Sequence, residues 1–193
     1  MKRFLHRSFL TAAIFLFGPG LAPAAPPETK AGAAVSEAQA AKELAKLGIP
    51  LQRDPRGAVR WIEATEGEFT DAAMPYLCRL PGLEWLEIRE GTVTPAGIAH
   101  LKGCTALKRL SLHGLDLAGD DLAWLSGLKK LEALSLQNTR IGGKALANLK
   151  NLGSLVVLNL SGNEIRDEDM PHVAALARLE VLAVAETKIT GTE

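Results

Sequence analysis

Residues 155–165 read Leu155-Val156-Val157-Leu158-Asn159-Leu160-Ser161-Gly162-Asn163-Glu164-Ile165, with apolar residues at positions 1, 4, 6 and 11 of the unit they open. The same pattern starts at Val59, Leu83, Leu107, Leu131, Leu155 and Leu179, each 24 residues after the last, with no insertion or deletion. A fixed period of this length specifies a solenoid. One such unit cannot bury its apolar face alone and does so by stacking on its neighbours.

Within each unit the opening apolar positions alternate as in a strand. The closing ones, such as Leu122, Leu125 and Leu128, have helix-like spacing. Each repeat is therefore predicted to be a strand, a turn and a helix. The turns carry helix-start chemistry at Thr70-Asp71, Thr94-Pro95, Asp120-Asp121 and Asp167-Glu168-Asp169, with Gly142-Gly143 the weakest start. Seven inward positions in five complete units make 35 sites, and all 35 are apolar when Ala64 and Cys104 are counted. Burying a large aliphatic side chain contributes roughly 1.5–3 kcal/mol, so these columns can offset the ordering entropy of the array.

The units resemble leucine-rich repeats of the kind common in exported bacterial proteins. Residues 155–165 match that consensus throughout, including Asn163 at the position that in the family bonds turn backbone between repeats. The resemblance covers Val59 to the C-terminus. It implies an α/β fold in which a curved parallel sheet lines the inside of a solenoid and helices lie outside. In the Asn column the chain has Gly67, Gly91, Leu115, Thr139, Asn163 and Thr187.

Ahead of the repeats, Lys2, Arg3 and Arg7 precede an apolar run from Phe9 to Phe17, and Ala22-Pro23-Ala24 supplies a small-residue cleavage site. This is the layout of a secretory signal peptide over residues 1–24. The run is far short of the roughly 20 residues needed to span a bilayer. The expected location is therefore periplasmic or extracellular, with no membrane span. Residues 25–35, rich in Ala and Pro, read as a flexible linker. Residues 36–58 read as an N-terminal helix and hairpin cap. Ser36 and Gln39 form a capping box, Ala40, Leu44 and Leu47 make the apolar stripe, and Gly48 ends the helix in a Schellman motif with Ile49 folding back on Leu44. Asp54-Pro55-Arg56-Gly57 suits a type I turn between arms at Ile49–Arg53 and Ala58–Ala64. The repeat domain then occupies 59–193, as five complete units and a partial sixth.

The chain has 22 basic and 22 acidic residues, and loss of the leader leaves 19 against 22, a balance of −3. That argues against a nucleic-acid partner. Cys104 stands in a column otherwise filled by Leu80, Leu128, Leu152 and Leu176 and is expected in the core. Cys78 shares a column with Lys102, Ser126 and Lys150 and is expected to face solvent. The mismatch argues against a disulfide between them, although an oxidising compartment keeps one open.

Strand parity sends positions 3, 5 and 7 of each unit to the open concave face, the surface that the family most often uses for binding. Column 3 reads Trp61, Trp85, Arg109, Ala133, Val157, Val181; column 5 reads Glu63, Glu87, Ser111, Ser135, Asn159, Ala183; column 7 reads Thr65, Arg89, His113, Gln137, Ser161, Ala185. Trp and Arg are the commonest interface anchors, and small apolar residues follow them. The expected function is therefore non-catalytic docking of an unidentified protein at Trp61, Glu63, Trp85, Glu87, Arg89, Arg109 and His113. The rival for the same residues is a solvated scaffold in which Arg109 stacks on Trp85 and the glutamates pair with arginines. The same sequence also suits a glycan-binding envelope module using Trp61 and Trp85, or a structural spacer or fragment of a longer repeat protein.

A glycosidase pair at Glu63 and Glu87 would lack a pocket, and Asp169 with His172 makes only two metal ligands on an exposed turn. No catalytic residue, metal or cofactor is assigned. Asn159-Leu160-Ser161 is a sequon relevant only in a eukaryotic secretory pathway. Tyr76, His100, Trp124, Asn148 and His172 share one column on the helical side, a second stripe expected to be structural. The sixth unit stops at Glu193, so Leu179, Leu182, Val184 and Ile189 are expected at an open end. That end implies a shortened chain or an end-to-end homodimer.

Overall fold

The computed structural model of the chain describes residues 3–5, 31–64, 69–119 and 122–191, with side-chain environments from residue 37 onward. Residues 6–24 of the expected leader, 25–30 of the linker, Thr65, Gly67 and Asp120-Asp121 lie outside the described residues.

Helix α1 (Ala31–Lys46) begins five residues before the expected cap, and Ser36 lies within it. Its end is as predicted. Gly48 adopts φ 80°, its N–H donates to the Ala45 carbonyl, and the Ile49 N–H donates to the Leu44 carbonyl at 3.1 Å. Strands β1 (Arg3–Leu5), β2 (Leu51–Arg53), β3 (Val59–Ala64), β4 (Trp85–Arg89), β5 (Arg109–His113), β6 (Ala133–Ser135), β7 (Val157–Asn159) and β8 (Val181–Ala183) form one open sheet. Its order is β1-β8-β7-β6-β5-β4-β3-β2. β3 to β8 pair in parallel and in sequence order, and β2 adds antiparallel to β3 through the predicted turn, where the Gly57 N–H donates to the Asp54 carbonyl.

Register follows the period without slippage. Leu110 pairs with Leu134, Leu134 with Leu158, and Leu158 with Leu182. Of the 35 predicted inward residues, 34 are buried and Met170 is partly buried against the same core.

The convex side differs from expectation. Among the described residues it holds short α-helical turns, α2 (Met74–Leu77), α3 (Pro95–Ile98) and α4 (Met170–Ala174), joined or replaced by 3-10 segments at Ala99–Gly103, Ala123–Gly127, Gly143–Asn151 and Asp167–Asp169. A 3-10 turn rises about 2.0 Å per residue against about 1.5 Å for an α-helix, so it carries a short segment across the wide side of the coil. The second stripe does not share one environment. Leu122 enters its segment at φ 55°, Trp124 turns into the core at 4% exposure, and His100 and His172 stay exposed.

The two cysteines form a disulfide, contrary to the column argument, with Cα atoms 4.4 Å apart. The convex segments are staggered. A Cβ placed on Gly127 would lie 2.1 Å from the Lys102 carbonyl oxygen, and one on Gly103 would lie 3.4 Å from the Cys78 Cβ. The last turn of one repeat therefore faces positions one or two residues later in the next, which brings Cys78 to Cys104. The 26-residue separation corresponds to about 3–4 kcal/mol of stabilisation in the chain-entropy account.

The C-terminal end also differs. Leu179, Leu182 and Val184 are buried and Ile189 is partly buried, while Arg3–Leu5, inside the expected leader, pairs in parallel along β8.

Polar rungs repeat along the stack. Arg60 bridges Asp54 at 2.9 Å and Glu84 at 3.1 Å, and Glu84 also receives Lys108 at 3.0 Å. Arg140 meets Asp116 at 2.8 Å, and Lys188 pairs with Glu164. Asp71 does not cap its own turn. It accepts the Thr94 N–H at 2.8 Å and hydroxyl at 2.7 Å from the next repeat, and Asp167 receives Thr190 in the same way. Asn163 donates to the Leu136 and Leu160 carbonyls and accepts from the Thr139 and Ile141 N–H groups. In the same column, Thr139 and Thr187 keep one of these bonds, each donating to the carbonyl three residues back at 2.7 Å. Removing Asn163 would orphan several buried backbone groups, so Asn163→Ala is expected to cost about 2–4 kcal/mol in urea denaturation.

Position 8 of the unit is left-handed at Glu90 (φ 53°), Gly114 (70°), Asn138 (55°), Gly162 (70°) and Glu186 (55°). A non-glycine residue is strained there by roughly 1–2 kcal/mol. Glu90→Gly is expected to stabilise the chain by up to about 1 kcal/mol. Gly162→Ala is expected to destabilise it, because the new Cβ would fall 1.7 Å from the Asn138 Oδ1.

The carboxyls of Asp54, Glu164 and Asp167 are all held below the ordinary range, chiefly by hydrogen bonds from Arg60, Lys188 and Thr190 respectively. A carboxylate whose folded pKa is lowered contributes stability in full above its ordinary value and loses it as pH falls through the folded value. Thermal stability should therefore drop as the pH falls below about 4, with hydrogen exchange rising first in the hairpin and the last repeat. An Asp54→Asn, Glu164→Gln, Asp167→Asn variant should show a shallower drop.

Candidate docking surface on the concave sheet

The register brings the candidate residues together. Gln52 pairs with Trp61, Trp61 with Trp85, and Trp85 with Arg109 in one row. Glu63, Glu87 and Ser111 form the next row, and Arg89 stands beside His113. Parallel neighbours lie about 4.8 Å apart, so the seven candidate side chains make one patch across β3, β4 and β5.

The strands under this patch are the long ones. β3 has 6 residues and β4 and β5 have 5 each, against 3 in β6, β7 and β8. The wide part of the sheet therefore coincides with the aromatic and charged residues.

Most of the patch is half-buried, namely Trp61, Glu63, Trp85, Arg89, Arg109 and His113. Glu87 is only 2% exposed and accepts a hydrogen bond from the Arg89 Nε at 2.5 Å. The Arg109 guanidinium lies 5.7 Å from the centre of the Trp85 ring. Both contacts hold long side chains in place before anything binds. They are also the two contacts expected of a solvated scaffold.

Gln52 joins the row outside the repeat pattern. Only the hairpin register shows that β2 extends the tryptophan row. The Gln52 Oε1 is buried and has no hydrogen-bond partner among the described residues.

The register sets Glu63 beside Glu87, and both the glutamate pair and the Asp169–His172 pair have members already engaged by other groups. Glu87 is committed to Arg89 on an open sheet, and the Asp169 Oδ2 accepts the Arg166 N–H at 2.9 Å. Among the described residues no three potential metal ligands cluster. An open depression of about 430 Å³ lies away from the patch, at the turns of the later repeats, and its Arg140, Glu164 and Lys188 are engaged in cross-repeat ion pairs.

Because Glu87 is buried, truncating its partner should cost more than removing both charges. Arg89→Ala is expected to destabilise the chain by about 1–3 kcal/mol. Adding Glu87→Gln should recover part of that loss in a double-mutant cycle by urea denaturation.

Residues 154–176 match the family model described as Leucine Rich Repeat. A comparison with curated proteins finds no match. Among solved structures, an internalin (inlF) from Listeria monocytogenes str. 4b F2365 is 28% identical with a TM-score of 0.51, over 58% of this chain and 31% of that one. Internalin C2 (inlC2) of the same strain is 24% identical with a TM-score of 0.59, over 81% of this chain and 64% of that one. The TLR13–ssRNA13 complex gives 25% identity and a TM-score of 0.55, over 68% of this chain and 20% of that one. The chain spans less than two thirds of each of these structures. The period, the in-register parallel sheet and these likenesses agree: the chain is built of leucine-rich repeats and has their solenoid fold.

Proposed function

We propose that the chain is an exported, non-catalytic module that docks a protein on the concave face of its first three repeats. The residues are Trp61, Glu63, Trp85, Glu87, Arg89, Arg109 and His113, with Gln52 extending the row. The observation that carries this reading is the coincidence of the long strands with a row of tryptophans and an arginine. Anchors already held by Glu87–Arg89 and Arg109–Trp85 lose little freedom on binding, which favours affinity.

Export is supported by the leader pattern of residues 1–24 and by the Cys78–Cys104 disulfide, since such bonds persist in oxidising compartments. Among the described residues, no helix is long and apolar enough to cross a membrane. The fold also accommodates RNA, as the TLR13 complex shows for that protein. The acidic balance of this chain disfavours that use.

The glycan reading is the second one. It is weakened because Arg109 lies over the Trp85 ring that a sugar would need. End-to-end pairing of two copies would use the β8 edge, which leader removal would free of β1.

The test is crosslinking in the native host followed by identification of what co-purifies, repeated with Trp61→Ala and Trp85→Ala together. Docking predicts loss of a protein adduct by at least about tenfold, equivalent to about 1.4 kcal/mol. Loss of retention on envelope polysaccharide with protein adducts unchanged would support the glycan module instead. Wild-type behaviour of the variant in both assays would leave the spacer.

A further inference from the structure

We infer that the Cys78–Cys104 disulfide is a redox control on the proposed docking face: its reduction by a dithiol reductant loosens the two repeats that carry Trp61 and Trp85. The inference rests on the docking reading for its consequence, but its structural part stands on separate observations.

The first observation is placement. Cys78 lies at the convex end of the unit that opens at Val59, and Cys104 at the convex end of the unit that opens at Leu83. Those two units supply β3 and β4, and with them Trp61, Glu63, Trp85, Glu87 and Arg89.

The second is packing. Cys104 is 5% exposed and stands where the other units have Leu80, Leu128, Leu152 and Leu176. A thiol is smaller than the leucine side chain that fills this column elsewhere. The bond to Cys78 supplies a contact that packing supplies at the other junctions. Once it is reduced, this junction has neither the leucine nor the link, so less apolar contact holds it than holds the other junctions.

The third is access. Cys78 is half-buried while Cys104 is buried, so an incoming thiolate reaches the Cys78 sulfur first. Attack there forms a mixed disulfide with Cys78 and expels Cys104 as a thiolate, which takes up a proton. The second thiol of the reductant then displaces Cys78. Two electrons and two protons pass from the dithiol to the cysteine pair, and the reductant leaves as its own disulfide.

Reduction loosens rather than unfolds the junction because other ties cross it. Asp71 holds Thr94, and Arg60 holds Glu84. The later repeats carry a leucine in the corresponding column and are unaffected.

The test is hydrogen exchange by mass spectrometry on the purified chain, oxidised and then treated with dithiothreitol. Exchange is expected to rise by about tenfold or more in residues 74–107 and in β3, with β6 to β8 unchanged. A Cys78→Ala, Cys104→Leu variant restores the leucine and is expected to keep oxidised-like protection whether or not dithiothreitol is present. That variant remains informative if Cys78→Ser with Cys104→Ser fails to fold. Unchanged exchange on reduction, or a rise spread evenly from β3 to β8, would overturn the inference. For the functional part, the native-host adduct is compared between oxidised and reduced chain. An adduct that needs the tryptophans and disappears on reduction supports the control. An adduct that needs the tryptophans but is equal in both states overturns it and leaves the docking reading standing. An adduct indifferent to the tryptophans overturns the docking reading itself.

Discussion

Parallel strands can bond in register only when the chain takes the same length to go round each coil, and every complete unit from Val59 onward takes 24 residues. That equality puts Leu110, Leu134 and Leu158 in one row and makes each repeat's inward face the floor of the next. It also turns a column of sequence into a row of neighbours. Opposite charges at corresponding positions become Arg60–Glu84–Lys108, and a single asparagine can satisfy the turn backbone of two repeats at once. An inserted residue in one strand would shift that coil against both neighbours and break the contacts at those two junctions.

The surface follows from the same constraint. Because neighbouring positions are fixed by arithmetic, two tryptophans and an arginine in one column form a continuous strip. The strip sits where the strands are longest and where a disulfide joins the two repeats behind it. The internal contacts of the strip, Arg109 on Trp85 and Arg89 on Glu87, organise it. Farther along, the concave face carries Ala133, Val157 and Val181 on short strands, a smoother surface with no comparable anchors.

Much of this is legible in the residues. The inward leucines, the Schellman end of α1, the Asp54 turn and the composition of the concave rows follow from period, parity and turn chemistry, and the structure has them. The convex side is not legible to the same degree. Helix-like spacing of Leu122, Leu125 and Leu128 does not distinguish an α-helix from a 3-10 segment over so few residues, and the column does not mark Trp124, which follows the left-handed Leu122, as buried. Comparing columns assumes coils stacked without offset, which holds for bonded strands and fails on the outside, where Gly127 lies against the Lys102 carbonyl. That offset is what joins Cys78 to Cys104. Gln52 escapes the column reading because its place beside Trp61 depends on the hairpin register rather than on the repeat. Asp71 and Asp167 look like helix caps locally, and their reach into the following repeat is visible only in three dimensions.

The most direct test of the stack is an experimental structure of the repeat region, read at one row of leucines. The account predicts that the Cα atoms of Leu110, Leu134 and Leu158 follow one another at about 4.8 Å beneath a curved parallel sheet, with Trp61, Trp85 and Arg109 side by side on its open face. Leucines scattered out of that row, or tryptophans on different faces, would contradict it.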